Sequence, residues 1–313
     1  MKTVFMFPGQ GSQSIGMMQD LLEEYALARD VFARASNAID IDLAEIAAKG
    51  PEEQINSTAI TQPIVMTASL AMWQVWNECD GFQPDAVCGH SLGEYTALVV
   101  SGVLPLEEAV KLVHLRGQLM QEAVPHGEGA MAALLGLDDQ AVIDVCAKAT
   151  QGEVVSAANF NAPGQVVISG ATEALQRAIT LAKEAGARRA ALLPVSVPCH
   201  CSLLQPAGER LAEAIDAITF AEPQIPVMQN VGAKVPGDLA ELKKNLLAHL
   251  YSPVQWSESI QNLAEQGAEL FVECGPGKVL TGLNKRIVKS AKTLNMQDAE
   301  SMQVVLDEGR SAE

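Results

Sequence analysis

Cys88-Gly89-His90-Ser91-Leu92-Gly93-Glu94-Tyr95 is the stretch on which the reading of this chain turns. Ala86, Val87 and Cys88 end a short apolar strand, and Glu94 through Val100 carries a helix. Between them, Gly-X-Ser-X-Gly forces the serine onto a sharp turn that presents its hydroxyl at the tip. A Cβ on either flank would collide across that turn, so both flanks are glycine. The Leu92 amide then points from a helix N-terminus toward any oxyanion formed at Ser91. The pattern predicts a nucleophilic serine, which still needs a base, a second oxyanion donor and a substrate-reading group.

Composition narrows the setting. The 313 residues suffice for a main domain carrying a smaller one. With 48% hydrophobic and 19% charged residues, the chain reads as folded and soluble. Its 38 Asp+Glu against 21 Lys+Arg leave a net charge of −17, which disfavours nucleic acid or an anionic membrane as partner. No apolar run approaches the roughly 20 residues of a spanning helix. Met1 to Phe5 enters a strand at once, leaving no room for a signal peptide. Six cysteines without a Cys-X-X-Cys pair read as reduced thiols, and a cytoplasmic location is expected.

Along the chain, Val4 to Phe7 is a strand ended by Pro8-Gly9-Gln10-Gly11-Ser12-Gln13. That loop lacks the third glycine of a dinucleotide fingerprint, Ser14 standing there, and its exposed amides face the same sheet end as Ser91. Met17 to Ser36 has helical spacing, and Gln62-Pro63 is expected to open a long helix through about Trp76. Leu106 to Ala123 is an amphipathic helix with Arg116-Gly117 at its middle. From about Pro125 the pattern becomes strand-helix-strand-strand-helix-strand, the order of a ferredoxin-like module. Strands and helices then alternate again, as in a parallel sheet covered on both faces. The expected architecture is α/β: an α/β-hydrolase-like parallel-sheet core (1–125 and 196–290) with an inserted ferredoxin-like small domain (126–195). Residues 291–313 have lost apolar period and are expected to form an acidic, solvated C-terminal tail.

Five histidines could serve Ser91. His90 is its neighbour and should point elsewhere, while His114 and His126 suit packing or surface roles. His200 follows a strand exit at Val195-Ser196-Val197-Pro198-Cys199, from which it can reach the elbow, and His249 competes with it. Cys199-His200-Cys201 is not a metal site, because three consecutive residues converge poorly on one ion and no second cluster completes a tetrahedron. No carboxylate stands in an obvious orienting position, so a dyad and a triad are both open. Arg116, among Leu112, Val113, Leu115, Leu119 and Met120, is either a helix arginine reaching water or a bidentate clamp for a substrate carboxylate.

Together these stretches resemble the malonyl-CoA:acyl carrier protein transacylases of bacterial fatty acid synthesis, relatives of the acyltransferase domains of fatty acid and polyketide synthases. The matching pieces are Phe7 to Gln13, Thr61-Gln62-Pro63, Gly89 to Tyr95, Arg116-Gly117, Met120-Gln121, Asn159-Phe160-Asn161, Ser196-Val197-Pro198 with His200, and Glu273 to Lys278. The resemblance implies Ser91 as nucleophile and His200 as base, its imidazole held by a main-chain carbonyl near 249. It implies the Gln10 and Leu92 amides as oxyanion hole, and Arg116, Gln62 and His249 as substrate-binding residues, Arg116 taking the malonyl carboxylate. It further implies ping-pong transfer from malonyl-CoA to the phosphopantetheine thiol of acyl carrier protein, with no metal or cofactor. An acidic carrier would need a basic patch, for which Arg188-Arg189, Lys278 and Lys285-Arg286 are candidates. Two departures stand out: His249 where the family usually has Gln, and Cys199 where it often has Ser. The rival functions are a serine hydrolase passing its acyl group to water and a catalytically idle scaffold.

Overall fold

The computed structural model describes residues 2–125, 127–195 and 197–312. His126 and Ser196 lie outside the described residues. The strands in chain order are β1 (Lys2–Phe7), β2 (Ala86–Gly89), β3 (Gly129–Leu135), β4 (Val155–Ala162), β5 (Gln165–Ala171), β6 (Arg189–Leu192), β7 (Val227–Met228), β8 (Ala268–Cys274) and β9 (Lys292–Met296). They form two sheets.

Unbroken apolar runs build the first. Its order is β7-β2-β1-β8-β9 with every pair parallel, the pattern of strands buried on both faces. In the central β1, Phe5 and Phe7 turn to one side, where Phe5 meets the Trp73 and Trp76 rings edge-on at 5.6 Å. Val4 and Met6 turn to the other, packing with Trp256, Ile260 and Leu280. The result is a helix-covered, α/β-hydrolase-like core, with the Ser91 turn at the carboxyl end of β2. Ligands bind at that end of parallel sheets.

Four strands from 129–192 build the second sheet, antiparallel in the order β4-β5-β3-β6. This is ferredoxin-like topology. One face carries helices Asp139–Ala149 and Thr172–Glu184, burying Leu134, Val142, Ile168, Leu175 and Ile179 together. β4 is also tied to the core: the Phe160 amide donates to the Val254 carbonyl at 3.0 Å, and the Val254 amide to Ala158 at 2.8 Å. The strand runs through Ala162, and Asn159 and Asn161 both line the cavity beside Ser91.

Three expectations change. The helix foreseen over 17–36 is two, Gln19–Glu24 and Ala26–Ile39, separated by extended backbone at Tyr25. The long helix begins at Thr58, not Gln62, and continues to Glu78 with Pro63 inside it. Proline lacks the amide that would bond the carbonyl four residues back, at Ala59. His114 Nδ1–H occupies that carbonyl instead, at 2.8 Å, so the proline is accommodated without a broken helix.

The tail is the third correction. Residues 292–296 form β9, parallel to β8, and helix Ala299–Ala312 buries Met302, Val305 and Leu306 against the core. Asp298, Glu300, Asp307 and Glu308 mask an apolar stripe only one residue wide at i, i+3, i+4 spacing. Leu306→Ala should therefore cost about 2–5 kcal/mol in denaturant unfolding, as for a core leucine. A change within about 0.5 kcal/mol, the range of a solvated segment, would restore the tail reading.

Candidate active site

Steric crowding fixes the nucleophile. A Cβ at Gly89 would stand 1.9 Å from the Gly93 carbonyl, and one at Gly93 would stand 2.0 Å from the Phe7 carbonyl. The chain can pass so close to itself only by turning sharply, and Ser91 takes φ 52°, left-handed backbone that a side-chain-bearing residue rarely adopts. Asn230 holds the turn. Its Oδ1 accepts the Ser91 amide at 2.8 Å and its Nδ2 donates to the Gly89 carbonyl at 2.7 Å. Asn230 is itself set by Glu94, whose Oε2 accepts the Asn230 amide at 2.7 Å while Oε1 accepts Gln229 Nε2. Burial pushes the Glu94 carboxyl up to about 7, opposed by those donors and by the nearby Arg116 charge.

His200 is the base the geometry selects. Its Nε2 lies 2.7 Å from Ser91 Oγ, and its Nδ1 lies 2.8 Å from the His249 carbonyl. A carbonyl only accepts, so Nδ1 carries the proton and Nε2 offers its lone pair to the serine hydroxyl. The His200 amide donates to the Leu250 carbonyl at 3.1 Å, so one short segment holds both ring and backbone. Burial, and then the Arg116 charge, lower the His200 pKa to about 3, leaving the ring neutral and able to accept a proton.

Arg116 is 1% exposed, on helix Leu106–Ala123. Its Nη1 donates to Gln62 Oε1 at 2.7 Å, its Nη2 lies 3.4 Å from Ser91 Oγ, and its guanidinium sits 5.4 Å from the Tyr95 ring centre. Its Nε has no partner, and among the described residues no carboxylate pairs with it. A buried cation left this way is strongly disfavoured unless an anion arrives.

A cavity of about 230 Å³ opens over the serine, lined by Gln10, Ser91, His200, Cys199, Asn161 and Val167 among others. Among the described residues, the Gln10 and Leu92 amides have no intramolecular acceptor. Ser91, His200, Arg116, Gln62, Gln10 and Leu92 are thus brought together as a unit. The His249 ring is not part of the cavity wall: it is fully buried behind His200, ring centres 5.1 Å apart, with neither nitrogen partnered. It contributes its carbonyl, and among the described residues no orienting carboxylate bonds the base. His90 turns away, bonding Asn161 Oδ1 at 2.8 Å. Cys199 keeps its proton, burial pushing the thiol up to about 12. Sequence reasoning missed Asn230, Glu94 and Asn161. Glu94 and Asn161 stand inside stretches already singled out, Gly89 to Tyr95 and Asn159-Phe160-Asn161, without a role being read for them, and the signal for Asn230 is the polar pair Gln229-Asn230 directly after an apolar strand.

A serine–histidine pair under two free amides, in this frame, defines a serine acyl-transfer enzyme. Residues 4–307 match the acyl transferase domain family, and the chain belongs to it. It is 48% identical over 302 residues to the malonyl CoA-acyl carrier protein transacylase of Salmonella typhimurium, covering 96% of this chain and 98% of that protein. An acyl carrier protein S-malonyltransferase crystal structure from Vibrio cholerae superposes with TM-score 0.96 at 50% identity, covering 97% of this chain and 100% of that one. A malonyl-transacylase in complex with its type II PKS acyl-carrier protein superposes with TM-score 0.97 at 45% identity, covering 98% and 100%.

The histidine environment fixes a pH signature. Because the His200 pKa is depressed to about 3, acylation (kcat/KM) should hold level as pH falls from 8 to 5.5, and an acid limb centred near 6.5 would contradict it. The buried His249 ring is likewise held well below its ordinary value by burial. Below about 6.5 the unfolded chain takes up a proton that folded His249 refuses, so stability falls as pH drops. His249→Gln should make that fall shallower than in the unsubstituted protein.

Proposed function

We propose that the protein transfers a malonyl group from malonyl-CoA to the phosphopantetheine thiol of acyl carrier protein, by a ping-pong route through a malonyl-Ser91 ester, supplying extender units for fatty acid biosynthesis. The observation that carries this is the buried Arg116 guanidinium, without a carboxylate of its own, 3.4 Å from the nucleophile. A free carboxylate on the acyl group is the anion that position lacks. An acetyl group leaves the cation unpaired, and losing one partner of such a pair costs about 2–5 kcal/mol.

In this reading His200 Nε2 takes the Ser91 hydroxyl proton as Oγ attacks the thioester carbon. The Gln10 and Leu92 amides receive the oxyanion, each worth roughly 10²–10³ in rate. The imidazolium returns its proton to the departing CoA sulfur, leaving the ester. The carrier thiol then gives its proton to His200, attacks the ester carbonyl, and Ser91 regains its hydrogen. Gln62 steadies Arg116, and His249 serves through its carbonyl alone. No step asks for a metal or cofactor.

The carrier reading has its own support. Arg188 and Arg286 line one cleft with Leu135, and Arg286 bonds Gln165, which also lines the Ser91 cavity. Arg286 thus joins the Ser91 cavity, through Gln165, to a cleft it shares with Arg188, and in a chain with net charge −17 this pair offers a local attraction for an acidic carrier. Among the described residues no helix is long and apolar enough to cross a membrane, and all six cysteines are free. We infer that the reaction is cytoplasmic.

Intact-protein mass spectrometry tests transfer against hydrolysis. The protein mixed with malonyl-CoA should gain one malonyl group on Ser91 and shed it much faster once holo acyl carrier protein is added. Loss at the same rate with and without the carrier would make the protein a hydrolase.

A further inference from the structure

Gln62 is fully buried, and it meets Arg116 in only one of its two amide orientations. With the carbonyl toward Arg116 the amide accepts Nη1–H; flipped, it would set N–H against N–H. On the far side, Gln62 Nε2 donates to the Met120 sulfur at 3.3 Å. Met120 is 2% exposed and lies one helical turn beyond Arg116 on the same helix. A thioether accepts and never donates, so the sulfur reads the amide in the same sense as the arginine does. The two contacts exclude the flipped rotamer from both sides.

The frame around them is tight. A Cβ at Gly117 would stand 2.6 Å from the Ala59 Cα, so the two helices touch backbone to backbone beside the pair. Gln121 Oε1 accepts the Ala59 amide at 3.2 Å, and His114 takes the Ala59 carbonyl that Pro63 leaves unbonded. His114, Gly117, Met120 and Gln121 thus face the first turn of the Thr58–Glu78 helix, and only Met120 reaches the Gln62 amide itself.

We infer that Met120 is a positioning residue for acyl selectivity: its sulfur fixes the Gln62 amide so that Arg116 is held ready for a substrate carboxylate. This rests on reading Arg116 as the malonyl partner. Leucine at 120 keeps the volume and removes the acceptor, leaving the amide N–H buried without a partner and free to turn.

The test is the ratio of Ser91 acylation rates with malonyl-CoA and acetyl-CoA, read by intact mass. Met120→Leu should lower that ratio about five- to tenfold, mostly by slowing malonyl acylation, with thermal unfolding close to that of the parent protein. In a Gln62→Leu background, where no amide remains to orient, the same change should have no further effect on the ratio. An unchanged ratio in Met120→Leu, or an equal drop in both backgrounds, would overturn the inference. Arg116→Ala separates the two layers. If it abolishes malonyl preference while Met120→Leu does not alter it, only the Met120 assignment falls. If Arg116→Ala keeps the preference, the clamp reading falls and the Met120 assignment with it.

Discussion

A guanidinium buried without a carboxylate of its own is the interaction on which the arrangement around it depends. Taking such a charge out of water is costly, and neutral dipoles offset only part of that cost. Here Gln62, the Tyr95 ring and the more distant Glu94 share the task, and one nitrogen remains unpaired. The same charge helps hold His200 neutral, so one cation both awaits an acid and keeps the base unprotonated. The two long helices meet backbone to backbone at Gly117, and the adjoining Arg116 reaches Ser91 Oγ.

The nucleophile is set by a second constraint that meets the first at Ser91 Oγ. Chain crossing at Gly89 and Gly93 drives Ser91 into left-handed backbone, and His200 adopts the same region at φ 60°. Two residues in a disfavoured conformation persist because hydrogen bonds over-determine them: Asn230 on both sides of the turn, and the 249–250 segment on His200. The base needs no carboxylate, since a fixed backbone carbonyl selects the tautomer. A carboxylate at Nδ1 would also raise the basicity that burial and Arg116 lower.

Much of this was legible in the residues. Gly-X-Ser-X-Gly marked the elbow because sterics at a strand-to-helix turn leave few alternatives, and the strand-helix-strand-strand-helix-strand order after about Pro125 marked the inserted module. The joint position of Gln62 and Arg116 was readable only through the resemblance, since 54 residues separate them in sequence. Asn230 and Glu94 were not legible: each is an ordinary polar residue whose role comes from a contact more than a hundred residues away. The same holds for the tail, where four acids outweighed three apolar residues that only β8 and the core give a place to go. His249 stood out as a departure, and its unusual side chain turns out to sit behind the base while its carbonyl does the holding.

The most direct measurement is a competition on the enzyme itself. The protein is mixed with malonyl-CoA and acetyl-CoA at equal concentration, quenched within one turnover, and the peptide containing Ser91 is identified by mass. A buried, unpaired Arg116 beside Ser91 predicts malonyl ester in large excess. Comparable acetyl and malonyl occupancy, or acyl groups on a residue other than Ser91, would contradict it.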